Sequence, residues 1–225
     1  MKFIKVSGPD AGAQIVLKSL EQSLSSGVKV LWLLAGGSNI SAEAAISKQL
    51  TNNLVANLST ILTDERFGPV DHANSNVKLL KDAGFDFSRI KIQPTLSNEL
   101  KTLEETVYHY DQIIKESFKQ ADIIIGQFGM GPDGHIAGIL PQSPAVRVKG
   151  KLATGYQALD FVRVSMTFDA IKKVDKAYLL AFGEAKKVPL ANLMDKEVDV
   201  AEQPAQILRQ IDETYVINDV IGESS

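Results

Sequence analysis

Residues 123–141 read Ile123-Ile124-Ile125-Gly126-Gln127-Phe128-Gly129-Met130-Gly131-Pro132-Asp133-Gly134-His135-Ile136-Ala137-Gly138-Ile139-Leu140-Pro141. The isoleucine run is apolar on both faces, as a strand buried inside a parallel sheet must be, and it leads directly into glycines at 126, 129, 131 and 134. These glycines let the backbone leave the strand and turn repeatedly through conformations that side chains resist. Pro132 suits the first turn of a short helix. Asp133 places a carboxylate two residues before His135, where it can fix the tautomer and orientation of the ring. The stretch fits a working histidine at the end of a strand; on spacing alone it fits equally well a loop histidine satisfied by its neighbours.

Upstream, residues 11–26 carry apolar side chains at 13, 16, 17, 20 and 24, a helical rhythm that stops at Gly27. Val28 to Ala35 is a second central strand, and it ends in Gly36-Gly37-Ser38 before a helix over Ile40 to Leu50. A turn between a strand's carboxyl end and a helix's amino end offers backbone N–H groups, the helix dipole and here a hydroxyl to an anion. Gly-Gly-Ser matches neither the Walker pattern nor the full dinucleotide fingerprint, and tight turns need glycine anyway, so both readings of it stay open.

Leu58 to Thr63 forms the next strand and delivers Asp64-Glu65-Arg66 to its carboxyl end, the side on which open parallel sheets bind ligands. Alternation puts Asp64 and Arg66 on one side of the chain and Glu65 on the other, so a surface ion pair suits Glu65 best. A polar loop over 68–76, in which His72 reads as a solvated residue, precedes a short helix through Leu79 and Leu80 to Gly84. A longer helix spans Asn98 to Lys119, with Leu100, Leu103, Val107, Tyr110, Ile114 and Phe118 as its buried stripe.

Past the glycine-rich stretch, apolar segments at Phe161 to Met166, Ala177 to Phe182 and Tyr215 to Ile217 alternate with helices at about 168–174, 186–195 and 204–210. Lys186 and Lys187 open the second of these helices, where a cation opposes the dipole and points to an anion nearby. The alternation predicts an α/β fold, a single doubly wound domain over residues 1–225 with a mainly parallel sheet and helices on both faces.

The length of 225 residues suits one such domain, and 44% hydrophobic with 23% charged residues is the balance of a globular protein. With 24 Lys+Arg against 27 Asp+Glu the net charge is −3 and no block of like charge occurs, which favours a small-molecule partner over nucleic acid or a membrane. The chain has no cysteine, which excludes disulfides, thiolate metal sites and cysteine nucleophiles. The first ten residues lack a signal-peptide core and no run approaches a membrane span, so the expected setting is cytoplasmic.

Four segments, Gly36-Gly37-Ser38, Asp64-Glu65-Arg66 with Ser75-Asn76, Gly129-Met130-Gly131-Pro132-Asp133-Gly134-His135, and Arg163-Val164-Ser165-Met166-Thr167 with Gly183-Glu184-Ala185-Lys186, stand in the order found in the 6-phosphogluconolactonases. The sequence resembles that family, and more broadly the superfamily it shares with the glucosamine-6-phosphate deaminases. The resemblance implies a Rossmann-like fold that opens 6-phosphoglucono-δ-lactone, a step of the pentose phosphate pathway, with neither metal nor cofactor, acting as a monomer or small homo-oligomer. It implies that His135, oriented by Asp133, is the general base and that Asp64 and Arg66 position sugar, water and oxyanion. It further implies that Gly36, Gly37, Ser38, Asn76, Gly131, Arg163 and Lys186 hold the sugar phosphate.

The chain departs from the family in places. Asn39-Ile40 replaces the frequent Thr-Pro after Gly-Gly-Ser, and Pro132 before Asp133 with Ile136 after His135 is wording nearer the deaminases. Against the deaminases stand Leu140, where they carry a glutamate, and Arg66, where they usually carry tyrosine. Amino-sugar-phosphate isomerase and non-catalytic sugar-phosphate binder remain the alternatives.

Overall fold

The computed structural model describes residues 1–224. In chain order the elements are β1 (Lys2–Lys5), α1 (Pro9–Ser25), β2 (Val30–Leu34), α2 (Ile40–Gln49), α3 (Asn52–Val55), β3 (Leu58–Leu62), β4 (Asp64–Arg66), α4 (Asn76–Asp82) and α5 (Leu103–Gln120). There follow β5 (Ile123–Phe128), β6 (Ala153–Gln157), β7 (Val162–Met166), α6 (Phe168–Ile171), β8 (Lys176–Ala181), α7 (Lys187–Asp195), β9 (Glu213–Asn218) and β10 (Glu223–Ser224). Seven strands form one parallel sheet in the order β10-β1-β9-β8-β5-β2-β3.

Val30 to Leu34 are all buried because β2 lies between β3 and β5 and is covered on both faces. Leu31 and Leu33 enter the core shared with Tyr110 and Ile114 of α5, while Val30, Trp32 and Leu34 enter the opposite core with Val16 and Leu20 of α1. This two-sided burial is what a continuous apolar strand requires. Strand order reverses at β2 and β5: the chain moves outward from β2 to β3, then returns to β5 on the other side. The loops after β2 and β5 therefore diverge above the sheet and leave a crevice at their carboxyl ends.

The alternation of strands and helices thus gives the expected doubly wound sheet, with differences at the second half. Phe161 to Met166 does not extend the large sheet. Its strand, β7, pairs antiparallel with β4 and with β6 in a separate three-stranded sheet, order β4-β7-β6. The long helix starts at Leu103 rather than Asn98, because Thr102 and Glu105 close a capping box: Glu105 N–H donates to Thr102 Oγ1 at 3.1 Å and Thr102 N–H to Glu105 Oε2 at 3.0 Å.

Pro132 starts no helix. Gly134 N–H donates to the Gly131 carbonyl at 3.0 Å and Gly131 N–H to the His135 carbonyl at 3.1 Å, so the backbone closes into a tight turn before it can wind. Residues 204–210 form a 3-10 helix, and Lys186 sits in a 3-10 turn, Glu184–Lys186, ahead of α7. Among the described residues no helix is long and apolar enough to cross a membrane.

Candidate active site

The crevice above β2 and β5 is a cavity of about 310 Å³. Its walls include Gly36, Gly37 and Ser38 after β2, Asp64 and Arg66 of β4, Gly131 and His135 after β5, Arg163 of β7, and Lys186 before α7. Five separate chain segments thus meet in one place. It is small for a ligand site but large enough for a phosphorylated sugar with water expelled.

The loop after β5 is held down on the small sheet. Gly138 N–H donates to Ser165 Oγ at 3.0 Å, and Tyr156 Oη donates to the Gly138 carbonyl at 2.8 Å. A side chain at 138 would press its Cβ to 2.9 Å from Ser165 Cβ and 3.2 Å from that of Asp64, so only glycine brings the loop this close to the carboxylate. Ile136 and Ile139 are fully buried beneath the loop. At Gly131 an added Cβ would fall 2.1 Å from His135 Nδ1, so the imidazole packs over bare backbone there.

His135 Nδ1 lies 2.7 Å from Asp133 Oδ1, which also accepts the His135 backbone N–H at 3.1 Å. Burial alone would raise the Asp133 pKa, but the hydrogen bond and charge of His135 outweigh it and hold the carboxyl below its usual range. An ionised Asp133 only accepts, so Nδ1 carries the proton in their contact, and in the neutral form of the ring Nε2 is the nitrogen with the lone pair.

Asp64 and Arg66 face the cavity and Glu65 faces away, as alternation requires. The surface ion pair expected of Glu65 is absent. Its carboxylate is fully buried and accepts N–H bonds from Arg66 (2.7 Å), Asn76 (2.7 Å) and Val77 (3.2 Å) and the Ser75 hydroxyl (3.0 Å). Burial nevertheless raises its pKa. Glu65 therefore ties β4 to the start of α4.

Asn76 does not line the cavity. It is buried behind the wall, donating Nδ2–H to the Asp64 carbonyl at 2.9 Å, and its amide lies where a Cβ on Gly36 would be, 2.3 Å from Oδ1. It joins the Asp64 strand to the Gly36 turn. His72 is half-buried rather than solvated, its Nε2 2.8 Å from the Arg66 carbonyl. Arg66 itself donates Nη1–H to the Asn74 carbonyl at 2.8 Å.

Lys186 reaches across to the loop and donates Nζ–H to the Met130 carbonyl. Burial lowers its pKa, with the Asp133 charge opposing. Asn39, in place of the frequent threonine, is buried and bridges two strands, donating to the Leu180 carbonyl and accepting from Gln127 Nε2, each at 3.4 Å.

Three residues of the site escaped the sequence reading. Asp160 and Phe161, in the turn between β6 and β7, line the cavity beside Arg163. Glu43 lies beneath it, fully buried, accepting the Ala35 N–H at 2.6 Å. Desolvation, reinforced by Asp64, pushes the Glu43 pKa well up. The signal for Glu43 was a charge on the inward face of α2, and for Asp160 a carboxylate three residues before an arginine. Among the described residues no group of three or more His, Asp or Glu is disposed to hold a metal ion.

The profile of the family described as glucosamine-6-phosphate isomerases/6-phosphogluconolactonase matches residues 9–217. A 6-phosphogluconolactonase of Synechocystis is 26% identical over 171 residues, covering 72% of this chain and 70% of the relative. One of Caulobacter vibrioides is 27% identical over 221 residues, covering 89% and 88%. The crystal structure of 6-phosphogluconolactonase from Thermotoga maritima superposes with a TM-score of 0.78 at 24% identity, covering 96% of each chain. The sheet, the crevice and the match along nearly the whole chain agree: this protein belongs to the glucosamine-6-phosphate isomerase/6-phosphogluconolactonase family.

Proposed function

We propose that the protein hydrolyses 6-phosphoglucono-δ-lactone to 6-phosphogluconate. The observation that carries the reading is the Asp133-bound imidazole of His135 in a cavity that also holds Asp64, two arginines and a lysine. The names of the aligned relatives support the substrate.

In this reading the phosphate is held by the Gly36-Gly37-Ser38 turn, Arg163 and Lys186, and the lactone carbonyl faces His135. Nε2 takes a proton from water as its oxygen bonds to the carbonyl carbon. The resulting oxyanion is stabilised by the Arg66 guanidinium, while Asp64 orients water and sugar. Collapse breaks the bond to the ring oxygen, which receives the proton back from the imidazolium. Lactone and water become one hydroxy acid, which then ionises.

Because such lactones open spontaneously, the test is the hydrolysis rate above the uncatalysed background, followed as acid release. Catalysis proportional to enzyme supports the reading. A protein that binds 6-phosphogluconate without accelerating hydrolysis is a sugar-phosphate binder instead.

A further inference from the structure

The guanidinium of Arg163 is almost wholly buried, with its side chain 6% exposed, yet the carboxylate it pairs with stands at the rim. Asp160 Oδ2 lies 2.7 Å from Nη2, and that carboxylate is 48% exposed. The Asp160 side chain also accepts the Phe161 N–H at 2.9 Å, which pins the turn. The Phe161 ring stands beside both cavity arginines, 5.2 Å from Arg66 and 5.9 Å from Arg163, measured from guanidinium carbon to ring centroid. Among the described residues, Arg163 Nε and Arg66 Nε have no hydrogen-bond partner.

A buried guanidinium without an anion is costly, because its desolvation is not offset. Asp160 supplies that anion, and it is the mobile half of the pair: releasing it returns a half-exposed carboxylate to water, whereas releasing Arg163 would strand a buried cation. The carboxylate occupies donors that a phosphate oxygen would use.

We propose that Asp160 is an internal counter-ion, which neutralises Arg163 when the cavity is empty and competes with the incoming phosphate for it. The inference rests on the reading above in one respect, that Arg163 holds the phosphate. Its consequence is selectivity. An inorganic anion must displace Asp160 with few other contacts, while a sugar phosphate does so with its whole length engaged. Asp160 therefore lowers affinity for bare phosphate and reserves the site for the larger ligand.

The test is titration of the intact protein with inorganic phosphate at low ionic strength, followed by heteronuclear NMR, for wild type, Asp160→Asn, Arg163→Gln and the double variant. Asp160→Asn should tighten phosphate binding roughly two- to fivefold, the worth of a partly exposed ion pair. The gain should vanish in the Arg163→Gln background, which separates loss of this contact from the general change of charge. Unchanged or weaker phosphate binding in Asp160→Asn, or a gain that persists without Arg163, overturns the counter-ion role. The lactonase reading fails differently, as an absence of lactone hydrolysis in wild type, whatever Asp160 does to phosphate. A melting temperature close to wild type for Asp160→Asn verifies that the fold is intact.

Discussion

Asp133 and His135, two residues apart, are joined twice: side chain to ring at 2.7 Å and side chain to backbone N–H at 3.1 Å. The turn that makes this possible depends on Gly131 below the ring and on Gly134, whose φ of 81° suits glycine. Orientation of the ring is thus built into the loop before any ligand arrives.

Replacing Asp133 with asparagine removes the charge that favours the Nδ1–H tautomer. We expect kcat for lactone hydrolysis to fall roughly 10²- to 10⁴-fold with little change in KM. In the wild type the depressed Asp133 pKa means the pair is present above the ordinary carboxylate range and is lost only as pH falls through the lower, folded value. Wild-type kinetics from pH 8 to pH 5 should therefore show no loss attributable to Asp133. An Asp133→Asn enzyme with full kcat would remove the aspartate from the mechanism.

Lys186 has the opposite sense. Its pKa is lowered chiefly by burial, so its charge is lost as pH rises, at a pH below the ordinary lysine range. Affinity for 6-phosphogluconate should decline along that limb, and Lys186→Arg should move the decline to higher pH. Lys186→Ala should raise KM strongly, and EDTA should leave activity unchanged. Calorimetric titrations across pH provide the check; an affinity identical in wild type and Lys186→Ala would take the lysine out of the phosphate site.

The buried carboxyl of Glu43 bears on stability. Its pKa, raised chiefly by burial, means the folded state keeps a proton to higher pH than the unfolded chain does, so stability falls as pH rises above the ordinary carboxylate value. Glu43→Gln imitates the protonated form and keeps an acceptor for the Ala35 N–H. Its melting temperature should exceed that of wild type at pH 7.5, and the difference should shrink towards pH 4. A difference independent of pH would mean that Glu43 is not protonated in the fold.

How much of this was legible in the sequence differs between elements for physical reasons. The central strands were readable because Val30 to Leu34 are buried on both faces, as are Ile124 and Ile125 behind the partly buried Ile123, which leaves an unbroken apolar signature. The facing of Asp64 and Arg66 followed from period two. The fate of Glu65 did not, because besides the adjacent Arg66 N–H its partners, the Ser75 hydroxyl and the backbone N–H groups of Asn76 and Val77, lie ten or more residues away, and backbone donors leave no trace in composition. The small sheet was hidden for a related reason. Residues Ala153 to Gln157 include Gly155 and the exposed Gln157 and carry no unbroken apolar run, and their strand character comes from pairing with β7. Asp160 escaped notice because an acid in a polar turn reads as solvent-facing until Arg163 is seen beneath it.

The family joins isomerases with lactonases, and the resemblance read from the sequence sets two residues of this chain against the isomerases. Leu140, half-buried in the loop beyond His135, transfers no proton, and Arg66 places a fixed cation in the cavity. Incubation with glucosamine 6-phosphate at high enzyme concentration should release no ammonia and form no fructose 6-phosphate. Either product, dependent on His135, would favour the isomerase reading.

The most direct measurement compares wild type with His135→Ala for hydrolysis of 6-phosphoglucono-δ-lactone at equal concentration, with the spontaneous rate subtracted and folding verified by circular dichroism. If His135 is the general base proposed above, its loss should lower kcat by roughly 10²-fold or more while 6-phosphogluconate still binds, because Ser38, Arg163 and Lys186, the residues proposed to hold the phosphate, line other parts of the cavity. A folded His135→Ala protein that hydrolyses the lactone at the wild-type rate would contradict the account.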